Sequence, residues 1–104
     1  MDAYSIATEM GPAGNVVTVR IARMFDYHCR NDFADIYLSR PKNTLFVLDF
    51  QDTYHIGKAA FGTLLLLNQY VRGQQGQTVK IINCNSNVKQ KLLDMKFEQY
   101  FSIE

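Results

Sequence analysis

Charge of one sign, long apolar runs and closely spaced cysteines are all scarce in this chain, and each scarcity excludes something. Eleven Lys and Arg against ten Asp and Glu leave a net charge of +1 with both histidines neutral. No bulk field then draws nucleic acid or an anionic membrane, and no arginine-rich stripe concentrates the basic residues. The wholly apolar run Leu64–Leu67 falls far short of the roughly 20 residues of a membrane span, so direct membrane insertion is not expected. The stretch MDAYSIATEM has neither a basic start nor an apolar core, so it does not read as a signal peptide, and a cytoplasmic location is expected. Cys29 and Cys84 lie far apart and lack the Cys-X-X-Cys spacing of a redox pair, so reduced, inert thiols are expected.

Chemistry-bearing constellations are scarce too. His28 and His55 are the only histidines, with Asp32 and Asp52 respectively near them in sequence. A metal site needs three or four convergent ligands, and neither CX2C nor HX3H spacing occurs, so no metal and no cofactor is expected. Gly57 and Gly62 flank a helix start, but the third glycine and the Lys-Ser/Thr of a phosphate-binding loop are missing. No serine sits in a nucleophile elbow. Asp49 and Asp52 fall at a strand end, where α/β sites often sit. Acid–base catalysis, anion binding beside a helix N-terminus and a plain cap or loop role all remain open for them. With no catalytic constellation around them, a non-enzymatic protein is expected.

What is present is a well-patterned core in one domain, residues 1–104. The chain is long enough to bury roughly 60–70% of its unfolded surface without staples. Asn43 to Arg72 organises it. Thr44–Phe50 is a nearly continuous apolar run with β-branched and aromatic members, a buried strand. Gln51–His55 reads as a polar connection, and apolar residues then recur at helical spacing from Ala60 to Val71. Leu64–Leu67 with Tyr70 and Val71 is wide for one stripe, so both deep burial and a partly exposed, adhesive face fit it.

Around this unit the pattern predicts a weakly alternating edge strand at Tyr4–Met10, with Tyr4, Ile6, Thr8 and Met10 on one side. A turn at Gly11–Asn15 and a strand at Val16–Ala22 make an antiparallel hairpin with it. A helix follows over Asp26–Ser39, capped by Asp26, with Cys29, Phe33, Ile36 and Tyr37 on one face and Pro41-Lys42-Asn43 ending it. Gly73–Gln77 breaks the second helix ahead of a strand at Thr78–Asn83. Asn85 or Ser86 caps a short helix in which Val88, Leu92 and Met95 share a face, and Phe97, Tyr100, Phe101 and Ile103 form a packed tail or short strand. The fold class is α/β: a mixed sheet with an N-terminal antiparallel hairpin and parallel strand–helix units.

Five segments in this order resemble the STAS family, named for sulphate transporters and anti-sigma-factor antagonists. They are RMFDYHCRNDFADIY, TLFVLDF, HIGKAAFGTLLLL, TVKIINCNSNVKQKLL and FEQYFSI, spanning about Tyr4 to Ile103. The resemblance is to the small, free-standing bacterial members that act as switch proteins. It implies a binding module that docks a protein partner, an anti-sigma factor with a kinase-like ATPase fold or a phosphatase regulator, through the signature turn and helix start. Carried onto this chain, that surface is Thr53, His55, Gly57, Lys58, Ala59, Phe61 and Gly62. Similar domains also serve as structural subunits of membrane transport ATPases or of multi-protein signalling scaffolds, and that alternative stays open, as does the oligomeric state.

The turn departs from the family pattern, in which Asp-Ser-Ser/Thr precedes a small residue. Gly57 stands where the pattern has Asp, Lys58 where it has the phosphoacceptor, and Ala59 where it has the second hydroxyl residue. Ile56–Gly62 contains no Ser, Thr or Tyr, so phosphorylation at the usual place is not expected. A lysine at a helix N-terminus opposes the dipole by about 0.3–1 kcal/mol when exposed. It matches neither a phosphoserine of charge about −2 nor a neutral serine. Drift in a protein that has lost the switch and a fixed contact to an acidic partner surface both fit Lys58.

Overall fold

The structure is a computed structural model, and it describes residues 3–12, 14–41, 43–72 and 78–104. The expected helix break Gly73–Gln77 lies outside the described residues. So do Ala13 of the first turn and Lys42 of the segment after the first helix.

In chain order the elements are β1 (Ala7–Met10), β2 (Val16–Arg20), β3 (Met24–Phe25), a 3-10 turn at Tyr27–Cys29 and α1 (Arg30–Leu38). Then come β4 (Leu45–Asp49), β5 (His55–Ile56), α2 (Lys58–Arg72), β6 (Val79–Ile82) and α3 (Ser86–Asp94). A second 3-10 turn at Phe97–Gln99 leads into β7 (Phe101–Ile103). The main sheet runs β1-β2-β4-β6-β7. β1 is antiparallel to β2, and every other pair is parallel. This is the expected α/β architecture.

Alternation explains the sheet. Register sets Val17 beside Phe46 and Val19 beside Leu48, Leu48 beside Ile81, and Val79 beside Phe101. All of these are buried, so the strands present one continuous apolar face. The alternate residues Thr18, Arg20, Val47, Lys80 and Ser102 stand on the other face, half-buried or exposed. Ala60, Leu64, Leu67 and Val71 of α2 recur at i, i+4, i+7 and i+11 and close the core over the apolar face, with Phe33 and Tyr37 of α1 and Val88 and Leu92 of α3. Leu64 is fully buried, and truncating such a leucine to alanine costs about 2–5 kcal/mol. The leucine run splits as its width suggested. Leu64 and Leu67 face inward, while Leu66 is 53% exposed.

The first helix opens as the 3-10 turn Tyr27–Cys29 and becomes α1 only at Arg30, later than the expected start at Asp26, and three further details differ from the sequence reading. First, Gln51–His55 is not wholly a connection: His55 and Ile56 form β5, which pairs in parallel with β3 as a second, two-stranded sheet. A two-residue strand carries no periodicity to read. Second, the edge strand covers only Ala7–Met10, and all four residues are exposed, so Met10 does not share a buried side with Tyr4 and Ile6. Third, α3 ends at Asp94, and Met95 beyond it is 51% exposed rather than aligned with Val88 and Leu92. Lys96 then takes a left-handed φ of 60°, which turns its neighbourhood off the helical path.

Candidate partner-docking site

The segment between β4 and α2 is held at nearly every backbone step. Asp49 begins it: its Oδ1 accepts from the Gln51 N–H at 2.9 Å and from Asn83 Nδ2 at 3.1 Å. Asn83 reaches it from a left-handed φ of 62°, a conformation asparagine tolerates. Tyr54 and His55 donate their N–H groups to the Arg23 carbonyl at 3.0 and 3.2 Å, and Gly57 N–H donates to the Phe25 carbonyl at 2.8 Å. Asn85 serves two masters, with Nδ2 donating to the Thr53 carbonyl at 2.9 Å and Oδ1 capping α3 through the Val88 N–H at 2.8 Å. The start of α2 is therefore presented by a rigid support rather than a loose loop.

Thr53 belongs to that support and not to the surface on which it was placed. It is 1% exposed, and its hydroxyl donates to the Ala22 carbonyl at 2.8 Å. A hydroxyl buried among apolar strands is stable only with such a partner. The other expected residues lie at or near the surface. His55 and Gly57 are half-buried, and Lys58, Ala59 and Gly62 are exposed. Nothing stands within 4 Å of where a Gly62 Cβ would lie, so that patch of α2 is open and bare. Ala59, Gly62 and Leu66 follow at i, i+3 and i+7, one outward stripe of two small residues and one exposed leucine.

Phe61 is half-buried, and its ring meets Phe97 edge-on at 5.4 Å. Phe97 in turn stacks on Phe101 at 5.7 Å. The aromatic tail thus braces the helix start. Beside Phe61 runs a groove of about 300 Å³ between the start of α2 and the end of α3, lined by Ile56, Lys58, Phe61, Lys91, Asp94 and Met95. Its α3 wall was not anticipated from sequence, because nothing in the spacing relates Lys91 or Met95 to Lys58.

Comparison with known proteins places the chain. No family model matches it. A STAS-domain containing protein of Pseudomonas aeruginosa is 31% identical to it over 93 residues, covering 86% of this chain and 89% of that protein. The chain belongs to the STAS-domain family. The solved structure of the anti-sigma factor antagonist SpoIIAA in its unphosphorylated form matches with a TM-score of 0.66 and 13% identity. The match covers 96% of this chain and 87% of that one, so the fold is shared although few residues are.

In this STAS domain the hydroxyls nearest Lys58 are largely spent. Thr63 is 5% exposed and its Oγ1 donates to the Ala59 carbonyl at 3.2 Å. Thr53 is committed as above, which leaves Tyr54 as the exposed hydroxyl beside the segment. His28 finds Asp26 rather than the expected Asp32. The Asp26 carboxylate accepts from the His28 N–H at 3.0 Å and lies 2.9 Å from its Nδ1. The reason is local: His28 sits in the 3-10 turn, capped by Asp26, ahead of α1. Tyr4 and Tyr27 lie against its ring, with centroids 4.4 and 4.0 Å away. Partial burial pushes the Asp26 carboxyl up, but the His28 hydrogen bonds and the charges of His28 and His55 outweigh it and hold it below the usual range.

Asp49 and Asp52 share one cationic partner. Arg20 bridges them, with Nε 3.3 Å from Asp49 Oδ2 and Nη1 3.3 Å from Asp52 Oδ2. Asp49 fills the cap-and-loop role through the Gln51 N–H, and Asp52 is tied to it through Arg20. A larger groove of about 350 Å³ lies beside them, lined in part by Arg20, Arg23 and Asp52. Arg20 is already paired there with both carboxylates. Among the described residues no three His, Cys, Asp or Glu side chains converge to hold a metal ion, and no helix is long and apolar enough to cross a membrane. Cys29 is buried, with its Sγ 3.6 and 3.5 Å from the Tyr4 and Met24 carbonyls, and Cys84 is half-buried. Burial, with Asp49 nearby, pushes the Cys84 thiol up to about 11 against the opposing pull of Lys89.

Proposed function

We propose that this STAS domain is a non-enzymatic interaction module of anti-sigma-factor-antagonist type. It docks a regulatory protein, an anti-sigma factor of kinase-like ATPase fold or a phosphatase, through the start of α2. It is not switched by phosphorylation at position 58. The observation that carries the reading is the exposed Lys58, Ala59 and Gly62 on a helix start held firmly from behind, with no hydroxyl between Ile56 and Gly62. Incubation with ATP and a cognate kinase-type partner should leave Ile56–Gly62 without phosphate, while the complex forms and persists. Failure to form a complex with any such regulator, together with turnover of a small molecule by the pure protein, would overturn it.

A second reading, a structural subunit of a transport ATPase or a signalling scaffold, draws on Leu66, which is 53% exposed on the same helix. Permanent association would cover such a leucine. Size-exclusion chromatography with light scattering separates the self-assembling scaffold from a monomeric docking module.

A further inference from the structure

This inference rests on the docking reading and names the chemistry of the docked segment. The groove between α2 and α3 has an apolar floor and a positive rim. Ile56 is 3% exposed at its base, Phe61 is fixed by Phe97, and Met95 is an adaptable, exposed wall. Lys58 and Lys91 supply two ammonium groups, and neither takes part in an ion pair among the described residues. Asp94 is the one acid in the lining, and its Oδ1 already accepts from Gln90 Nε2 at 2.8 Å. The lining therefore carries two cations against one anion. Lys58 also stands in the first turn of α2, where the helix dipole adds positive potential.

We propose that the groove anchors an acidic segment of the protein partner, one that inserts a single large apolar side chain and sets carboxylates against Lys58 and Lys91. The volume suits one such side chain rather than an extended ligand; it lies at the lower end of the range of small-molecule sites. The apolar floor supplies affinity, and the two unpaired lysines select the sign of what surrounds the anchor. A basic segment meets repulsion at both lysines, which excludes it. Lys58 is then a contact and not drift.

A random dodecapeptide library panned on the immobilised protein tests this without knowledge of the partner. Enriched peptides should carry a Leu, Ile, Met or Phe flanked by Asp or Glu. Their amide-shift footprint on the isotope-labelled protein should fall on Ile56, Lys58, Phe61, Lys91 and Met95. The Lys58→Glu, Lys91→Glu double variant should lose these peptides by about tenfold or more, and high salt should weaken them in the wild type. Lys91→Gln keeps the stem and drops the charge, so a smaller loss in the same direction separates charge from any effect on folding. Absence of enrichment, enrichment without acidic bias, or a footprint elsewhere would overturn the proposal. A footprint on Ala59, Gly62 and Leu66 without acidic bias would do so while leaving docking through α2 intact. Failure of a regulator to bind the wild-type protein at all would count against docking itself.

Discussion

Asp26 lies directly against Gly57: a Cβ built on Gly57 would come within 3.0 Å of Asp26 Cβ. The two residues are far apart in sequence and are joined by the β3–β5 pairing, in which Phe25 lies beside Ile56. The side chain that the family pattern places at position 57 is an aspartate. Here the space for it is taken by Asp26, the residue that follows β3 and caps the 3-10 turn.

Gly57→Ala should therefore destabilise the protein by about 1 kcal/mol, the crowding outweighing the smaller gain from a stiffer unfolded chain. Gly57→Asp should cost more, because it sets a second carboxylate beside the first. Urea unfolding checks both through a lower midpoint at unchanged slope. A stabilised Gly57→Asp would mean that Asp26 yields readily.

Asp26 also predicts a pH dependence. Its carboxyl is held below the ordinary range, against partial burial, by the His28 hydrogen bonds and the His28 and His55 charges. A group depressed in the folded state contributes stability that is fully present above its unfolded value of about 4 and is lost as pH falls through the folded value. Wild-type stability should thus fall on acidification below about pH 4 more steeply than that of Asp26→Asn. Parallel pH profiles of the two proteins would contradict the assignment.

Thr53→Val should act on stability and not on docking. The variant leaves the Ala22 carbonyl without its hydroxyl donor at an unchanged volume, at a cost of about 1–2 kcal/mol. Partner affinity at a temperature where the variant remains folded should stay within about twofold of wild type, a difference below 0.5 kcal/mol. A large affinity loss with stability intact would return Thr53 to the interface.

The fold was legible wherever a period was long enough to register. The alternation of Val17, Val19 and Ile21, and the recurrence of Ala60, Leu64, Leu67 and Val71, mark buried faces directly. Asn85 announced its cap by residue type, and Asp26 announced one too, but it caps the 3-10 turn ahead of α1 and not α1 itself, whose N-cap is Cys29. The site was legible only in part. Lys58, Ala59 and Gly62 could be placed at a helix start, but the groove beside them needs Lys91 and Met95 from a later helix. Thr53 entered the surface set through the family resemblance, and its place in the polar stretch Gln51–His55 does not reveal a buried hydroxyl with a carbonyl partner. The periodicity of Val88 and Leu92 carried Met95 along, because nothing in residue type marks Lys96 as left-handed.

Cys84 should be a poor nucleophile. With the thiol pushed up to about 11 by burial and Asp49, roughly one molecule in a thousand is thiolate at pH 8, against about a quarter for a free thiol near 8.5. Greater intrinsic nucleophilicity returns about tenfold of that deficit, so alkylation should still be about tenfold or more slower than for free cysteine. Iodoacetamide labelling followed by intact-mass spectrometry measures it. Labelling at the free-thiol rate would contradict the burial of this strand end.

The proposed docking through the start of α2 would put Lys58 in contact with the partner, and one affinity measurement bears on that most directly. The purified partner is titrated with wild type and with Lys58→Glu at low and at high salt. The charge reversal should weaken the complex by about 1–3 kcal/mol at low salt, with the gap narrowing at high salt. Equal affinities at low salt, with both proteins folded, would place the interface elsewhere on the domain.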